Sequence, residues 1–147
     1  MHEEDQAWMD YVDGEVRAVC EVRGWGHQIR RKAPARSKFV GDSPLDDYEW
    51  KLIPGAKGKL PDARWSTDFD GDYYVLSCDR RNDRFLLQHD TNHCGLFGPH
   101  WEEETYTQIG IRPGSNRTPF GLPEVGWLHD HLLALTNRFR PNSFSVT

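Results

Sequence analysis

"DYYVLSCDRRNDRFLLQHD", residues 72–90, sets two short apolar runs on either side of four polar residues. Runs of this length, rich in Tyr, Val, Phe and Leu and bounded by turn formers, read as strands. "DYYVLSCD" follows Asp70-Gly71, a hairpin-turn pair, with "ARWSTDF" (63–69) as the strand before it. "RRND" turns the chain and "RFLLQHD" returns. "YEWKLI" (48–53) and "TYTQIGIR" (105–112) have the same strand-like density, and Pro113-Gly114 closes the second. Four or five antiparallel strands in sequence make a meander that buries one face. Trp65, Tyr74, Leu76, Phe85, Leu87, Ile109 and Ile111 are the expected core residues of that face.

Each end of the chain reads as a helix. Trp8, Tyr11, Val12, Val16 and Val19 recur at helical spacing, and Glu3, Glu4 and Asp5 suit a helix N-terminus. Asp13-Gly14 is also a turn signal, and "EVRAVCEVR" nearly alternates, so a change to strand after Gly14 remains open. "PEVGWLHDHLLALTNRF" (123–139) places Trp127, Leu128, His131, Leu132 and Leu135 on one expected face before Pro141 stops it. The expected architecture is a single α+β domain over 1–147. An N-terminal and a C-terminal helix pack on one face of an antiparallel sheet.

Composition narrows the class. Mean hydropathy is −0.77, yet six Trp, five Tyr and seven Phe supply large apolar areas for a core. No apolar run is long enough for a bilayer, and "MHEEDQAWMD" is acidic, unlike a secretory leader. These features point to a cytoplasmic protein without a membrane partner. The odd cysteine count (Cys20, Cys78, Cys94) fits free thiols in that compartment.

Charge is unevenly spread. Net charge is −5, yet "RGWGHQIRRKAPARSK" (23–38) holds six basic residues and no acid, which leaves the rest at −11. Trp25, Arg30, Arg31, Lys32 and Arg36 in this segment are the candidate partner-binding residues. Cations beside an aromatic suit nucleic acid as well as an acidic protein surface. The low pI of 5.8 and the acidic remainder argue against a polyanion.

"QHDTNHCGLFGPHW" (88–101) gathers His89, His93, Cys94 and His100. With His131 from the C-terminal helix these are the candidate metal ligands, and zinc is the metal such donors suit. The spacing matches no strong zinc pattern, and Gly95, Gly98 and Pro99 suit a turn-rich connector between strands ending near His89 and starting near Thr105. Cys94 beside these histidines is a possible thiol nucleophile, but no acylation motif accompanies it. Asp68, Asp70 and Asp72 open like a calcium loop, but Tyr73 stands where that loop needs glycine.

No catalytic residue is assigned, and no cofactor is expected. The leading expectation is a non-enzymatic protein-interaction domain: an inhibitor- or immunity-type binder of another protein, or a subunit of a larger assembly. The alternative is a small hydrolase with a His/Cys or zinc site around residues 89–100 and 129–131.

Overall fold

The structure is a computed structural model that describes residues 3–31, 44–54, 58–59, 71–95, 98–111 and 119–138; over 90–95 and 98–106 it describes backbone and pairing. The arrangement is α+β. Helix α1 (Glu3–Arg23) leads into strands β1 (Gly26–Arg31), β2 (Tyr48–Ile53), β3 (Gly58–Lys59), β4 (Gly71–Asp79), β5 (Arg84–Gly95) and β6 (Gly98–Gly110). Helix α2 (Trp127–Leu135) follows. The sheet order is β3-β1-β2-β4-β5-β6, antiparallel except where the two-residue β3 runs parallel to β1.

Helix α1 does not break at Gly14. Its stripe of Trp8, Val12, Val16 and Val19 is buried throughout, and that burial outweighs one unfavourable glycine. It ends in a Schellman motif. Gly24 is left-handed (φ 73), its N–H donates to the Glu21 carbonyl at 3.4 Å, and the Trp25 N–H donates to the Cys20 carbonyl at 2.8 Å. The same turn drives Trp25 back into the core beside Cys20.

The expected core face is present. Tyr74, Leu76, Phe85, Leu87, Ile109 and Ile111 are all buried; Trp65 lies outside the described residues. Register explains the grouping. Tyr74 stands opposite Leu52 and His89, and Leu76 opposite Trp50 and Leu87, so one parity of each strand shares a face. These residues join Val12, Val16 and Val19 of α1 and Leu128 and Leu132 of α2 in one cluster.

The sheet does not bury one face alone. Gln28, Lys51 and Val75 are register neighbours on the opposite parity, and all three are buried. Ile53 and Tyr73 are buried there too. The cause is in β4 itself: "YYVL" is apolar at both parities, the mark of a strand covered on both sides. Lys51 is only 2% exposed, and its Nζ sits 4.3 Å from the centre of the Tyr73 ring. That cation–π contact offsets part of the cost of burying a charge.

Other boundaries differ from expectation. "YEWKLI" is strand β2 as read. Strand β1, "GHQIRR", lies inside the basic segment 23–38, for which the sequence offered no strand pattern. Residues 63–69 lie outside the described residues, and the described neighbours of β4 are β2 and β5.

Candidate functional site

The expected metal ligands occupy three separate settings. His89 lies on the core face of β5, its ring stacked on Tyr74 at 4.7 Å, and Tyr74 stacks in turn on Trp25 at 5.8 Å. His131 is exposed on α2, its ring 4.6 Å from Trp127. His93 and His100 are register partners, and Cys94 faces Pro99 along the backbone pairing. The expected connector is therefore two arms of one hairpin, with β5 running to Gly95 and β6 starting at Gly98. A ladder of backbone hydrogen bonds does not require apolar side chains, so the polar composition misled the boundary. Among the described residues, no group of three or more His, Cys, Asp or Glu is placed to hold a metal. Cys20 and Cys78 are buried thiols, not joined in a disulfide.

The expected partner-binding residues divide as well. Trp25 is 7% exposed and stacked in the core, so it is not an exposed anchor. Arg30 faces Glu49 across the β1–β2 ladder, with 2.9 Å between its Nη2 and Oε1. Arg31 pairs with Asp47 at 3.7 Å. Arg30 and Glu49 take up each other's charge as a cross-strand pair, and Asp47, just before β2, does the same for Arg31. Lys32 and Arg36 lie outside the described residues.

A surface that the sequence did not single out is built at residues 119–126, between β6 and α2. Three side chains of α1 hold it. Trp8 Nε1 donates to the Phe120 carbonyl at 3.2 Å, and the Tyr11 hydroxyl donates to the Glu124 carbonyl at 2.9 Å. Glu15, only 6% exposed, accepts the N–H of Gly126 at 2.8 Å and of His129 at 3.3 Å. The Leu128 N–H donates to Tyr11 Oη, and burial pushes the Tyr11 hydroxyl well above its ordinary pKa. Trp8 is itself fixed under the Arg80 guanidinium, 3.8 Å from the ring centre.

The segment so fixed presents apolar side chains to solvent. Val125 is 95% exposed and Phe120 is 41% exposed. Phe120 is also left-handed (φ 63, ψ 14), a conformation that costs a residue with a Cβ roughly 1–2 kcal/mol. An exposed aromatic held in a strained conformation by buried anchors is more informative than a scattered surface apolar residue. In the sequence, "PFGL" reads as a Pro/Gly connector and "PEVG" as the start of the helix expected over 123–139, whereas α2 begins only at Trp127. The anchors of residues 119–126 come from residues more than 100 positions earlier, so local pattern carries no trace of them.

Compared with known proteins, the chain matches no family model, no curated protein and no solved structure.

Proposed function

We propose that the protein is a protein-interaction domain whose contact surface includes residues 119–126. The observation that carries this reading is the pinned, strained connector with Phe120 and Val125 turned to solvent. Apolar side chains held rigid lose little entropy on binding, which makes them effective anchors. The basic segment supplies a second contact region in this reading, through Lys32 and Arg36. The partner is another protein, and the acidic remainder of the chain disfavours nucleic acid.

The test is site-specific photo-crosslinking in extract from the native source. A benzophenone amino acid at Val125 should give a discrete adduct, lost when Phe120 is changed to Gly. The same probe at Arg17, exposed on α1, should give none. Absence of a Val125-specific adduct removes the reading.

A second reading, a small hydrolase with a zinc or thiol site, draws on one observation. The hairpin puts His93 in register with His100. Directly opposed positions on antiparallel strands have Cβ atoms about 4.5–5.5 Å apart. Elemental analysis of His93→Ala against the parent chain tests its zinc form: equal zinc content in both removes that form.

A further inference from the structure

Strand β6 is the outer strand of the described sheet, and its last residues run beside α2. Between them lies an open groove of about 490 Å³. One wall is Thr107, Gln108, Ile109 and Gly110 of β6, and the other is Trp127, His131 and Leu135 of α2. The helical wall is one stripe at positions i, i+4 and i+8, beside the Leu128 and Leu132 stripe that faces the core.

The phase of the ladder fixes which backbone groups face the groove. The Ile111 N–H donates to the Asp83 carbonyl at 2.7 Å, and Ile109 and Thr107 stand opposite Phe85 and Leu87. Hydrogen-bonded and non-hydrogen-bonded pairs alternate along an antiparallel ladder. Ile109 and Thr107 therefore bond to β5, whereas the N–H and C=O groups of Gln108 and Gly110 point outward along the open edge. Gln108 and Gly110 are both exposed, and a Cβ built on Gly110 meets nothing within 4 Å. The edge thus offers two donor–acceptor pairs beside an aromatic and aliphatic wall.

We propose that this groove takes an extended, cationic polypeptide segment as an added strand on β6. The proposal rests on the reading of the protein as an interaction domain, and it names the class of partner. Strand addition uses the outward groups of Gln108 and Gly110 for affinity, and alternate side chains of the segment for specificity. Side chains on the groove side meet Trp127 and Leu135, so they are apolar; those on the other side face solvent. Charge selects the sign. Glu102, Glu103 and Glu104 lie upstream on the same strand, and the Asp130 side chain on α2 is 80% exposed. The nearest cation on β5, Arg84 opposite Gly110, is taken up by Asp79 at 2.8 Å.

The probes are a capped peptide of alternating lysine and valine and its glutamate–valine counterpart, titrated into the full chain by amide NMR. The lysine peptide alone should bind. It should shift Thr107–Gly110 and the Trp127 indole, and slow amide exchange at Gln108 and Gly110. Gln108→Pro removes an outward N–H and leaves the bonds to β5 intact. It should weaken binding about tenfold or more, the scale of one lost backbone hydrogen bond at a buried contact. Should that variant fail to fold, two peptides N-methylated at alternate positions give the same answer: one parity binds and the other does not. Binding of neither probe, equal binding of both, or indifference to N-methylation parity overturns the proposal. So does a dimer in which a second copy already protects the Gln108 and Gly110 amides. A Val125 adduct that survives those outcomes leaves the interaction reading standing. Peptide binding without any Val125 adduct removes residues 119–126 from the contact surface and keeps the groove.

Discussion

Glu15 accepts the backbone N–H of Gly126 at 2.8 Å, across 111 positions of sequence. With its second bond to the His129 N–H, the carboxylate caps the N-terminus of α2 from another helix. Eight residues further along α1, Arg23 Nη2 donates to the Leu133 carbonyl at 2.8 Å, near the C-terminus of α2. Eight residues of helix span about 12 Å, close to the length of α2. The two helices therefore run side by side in the same direction. Aligned dipoles of that kind repel, and a carboxylate at one end with a guanidinium at the other offsets the repulsion.

Removing this cap has a defined cost. Glu15→Ala leaves two part-buried N–H groups without their acceptor and should destabilise the protein by about 1–3 kcal/mol. Glu15→Gln keeps an acceptor oxygen and loses only the charge, so it should cost less than half of that. Equilibrium urea unfolding of both variants measures the difference. Equal losses would mean that the carboxylate acts by charge rather than as a cap.

Two glycines near α1 should respond in opposite directions. Gly14 has helical geometry, and nothing lies within 4 Å of the place a methyl group would take, so Gly14→Ala should stabilise by about 0.5–1 kcal/mol. Gly24 is also uncrowded, but its φ is +73, so Gly24→Ala should destabilise by about 1 kcal/mol. Thermal melts of the pair check both signs.

That contrast marks what the sequence could and could not convey. The helical stripe of α1 was legible, whereas Gly14 beside Asp13 imitated a hairpin, and only the burial of Val16 and Val19 decides between them. Strand β2 was legible to its ends because Pro54 stops it. Strand β1 was not, because its buried Gln28 packs beside buried Lys51, and no hydrophobic pattern announces a polar buried row. Trp25 beside arginines looked like an exposed anchor, and the Schellman turn that returns it to the core is visible only as Gly24. The pinned connector was illegible for a different reason: Trp8, Tyr11 and Glu15 were readable as helix, but nothing local says what their polar atoms bind.

Cys20 predicts a loss of stability at alkaline pH. Burial pushes its thiol up to about 12 from an ordinary value of 9.0, and its Sγ donates to the Gly26 carbonyl at 3.6 Å. The neutral thiol is favoured in the folded state, so this contribution is intact below about pH 9 and is lost progressively as pH rises towards 12. Between about pH 8 and about pH 10.5 the native protein should lose roughly 2 kcal/mol more than Cys20→Ala, since each pKa unit is worth about 1.4 kcal/mol. Urea midpoints at the two pH values give the comparison. Parallel loss in both proteins would rule Cys20 out as the source.

Helix α2 separates two stripes that its sequence merges. Leu128 and Leu132 are fully buried, whereas Trp127 is only partly buried beside the β6 groove. Leu132→Ala should cost about 2–5 kcal/mol through the cavity it leaves. Trp127→Ala should cost about 1–2 kcal/mol, below the range for a fully buried aromatic. Its indole fluorescence should be quenched by acrylamide in the native state. Resistance to quenching together with a loss above about 4 kcal/mol would return Trp127 to the core.

Phe120 offers a sharp test of the strained connector. Its ring is partly buried, so any truncation loses some apolar burial, and Ala and Gly lose nearly the same amount. They differ in the backbone. Ala at φ 63 keeps the left-handed cost of about 1–2 kcal/mol, whereas Gly adopts that conformation freely. Gly also carries more entropy in the unfolded chain, worth up to about 1 kcal/mol against it. The strain outweighs that entropy, so Phe120→Gly should be more stable than Phe120→Ala by about 0.5–1 kcal/mol, the reverse of the order at Gly14. The Trp8 bond is to the backbone carbonyl of Phe120, so both variants retain it and the comparison isolates the backbone. Urea unfolding of the two variants side by side decides the matter. A more stable Ala variant would mean that residue 120 is not held left-handed in solution, and the case for a pre-formed contact surface at 119–126 would lose its main support.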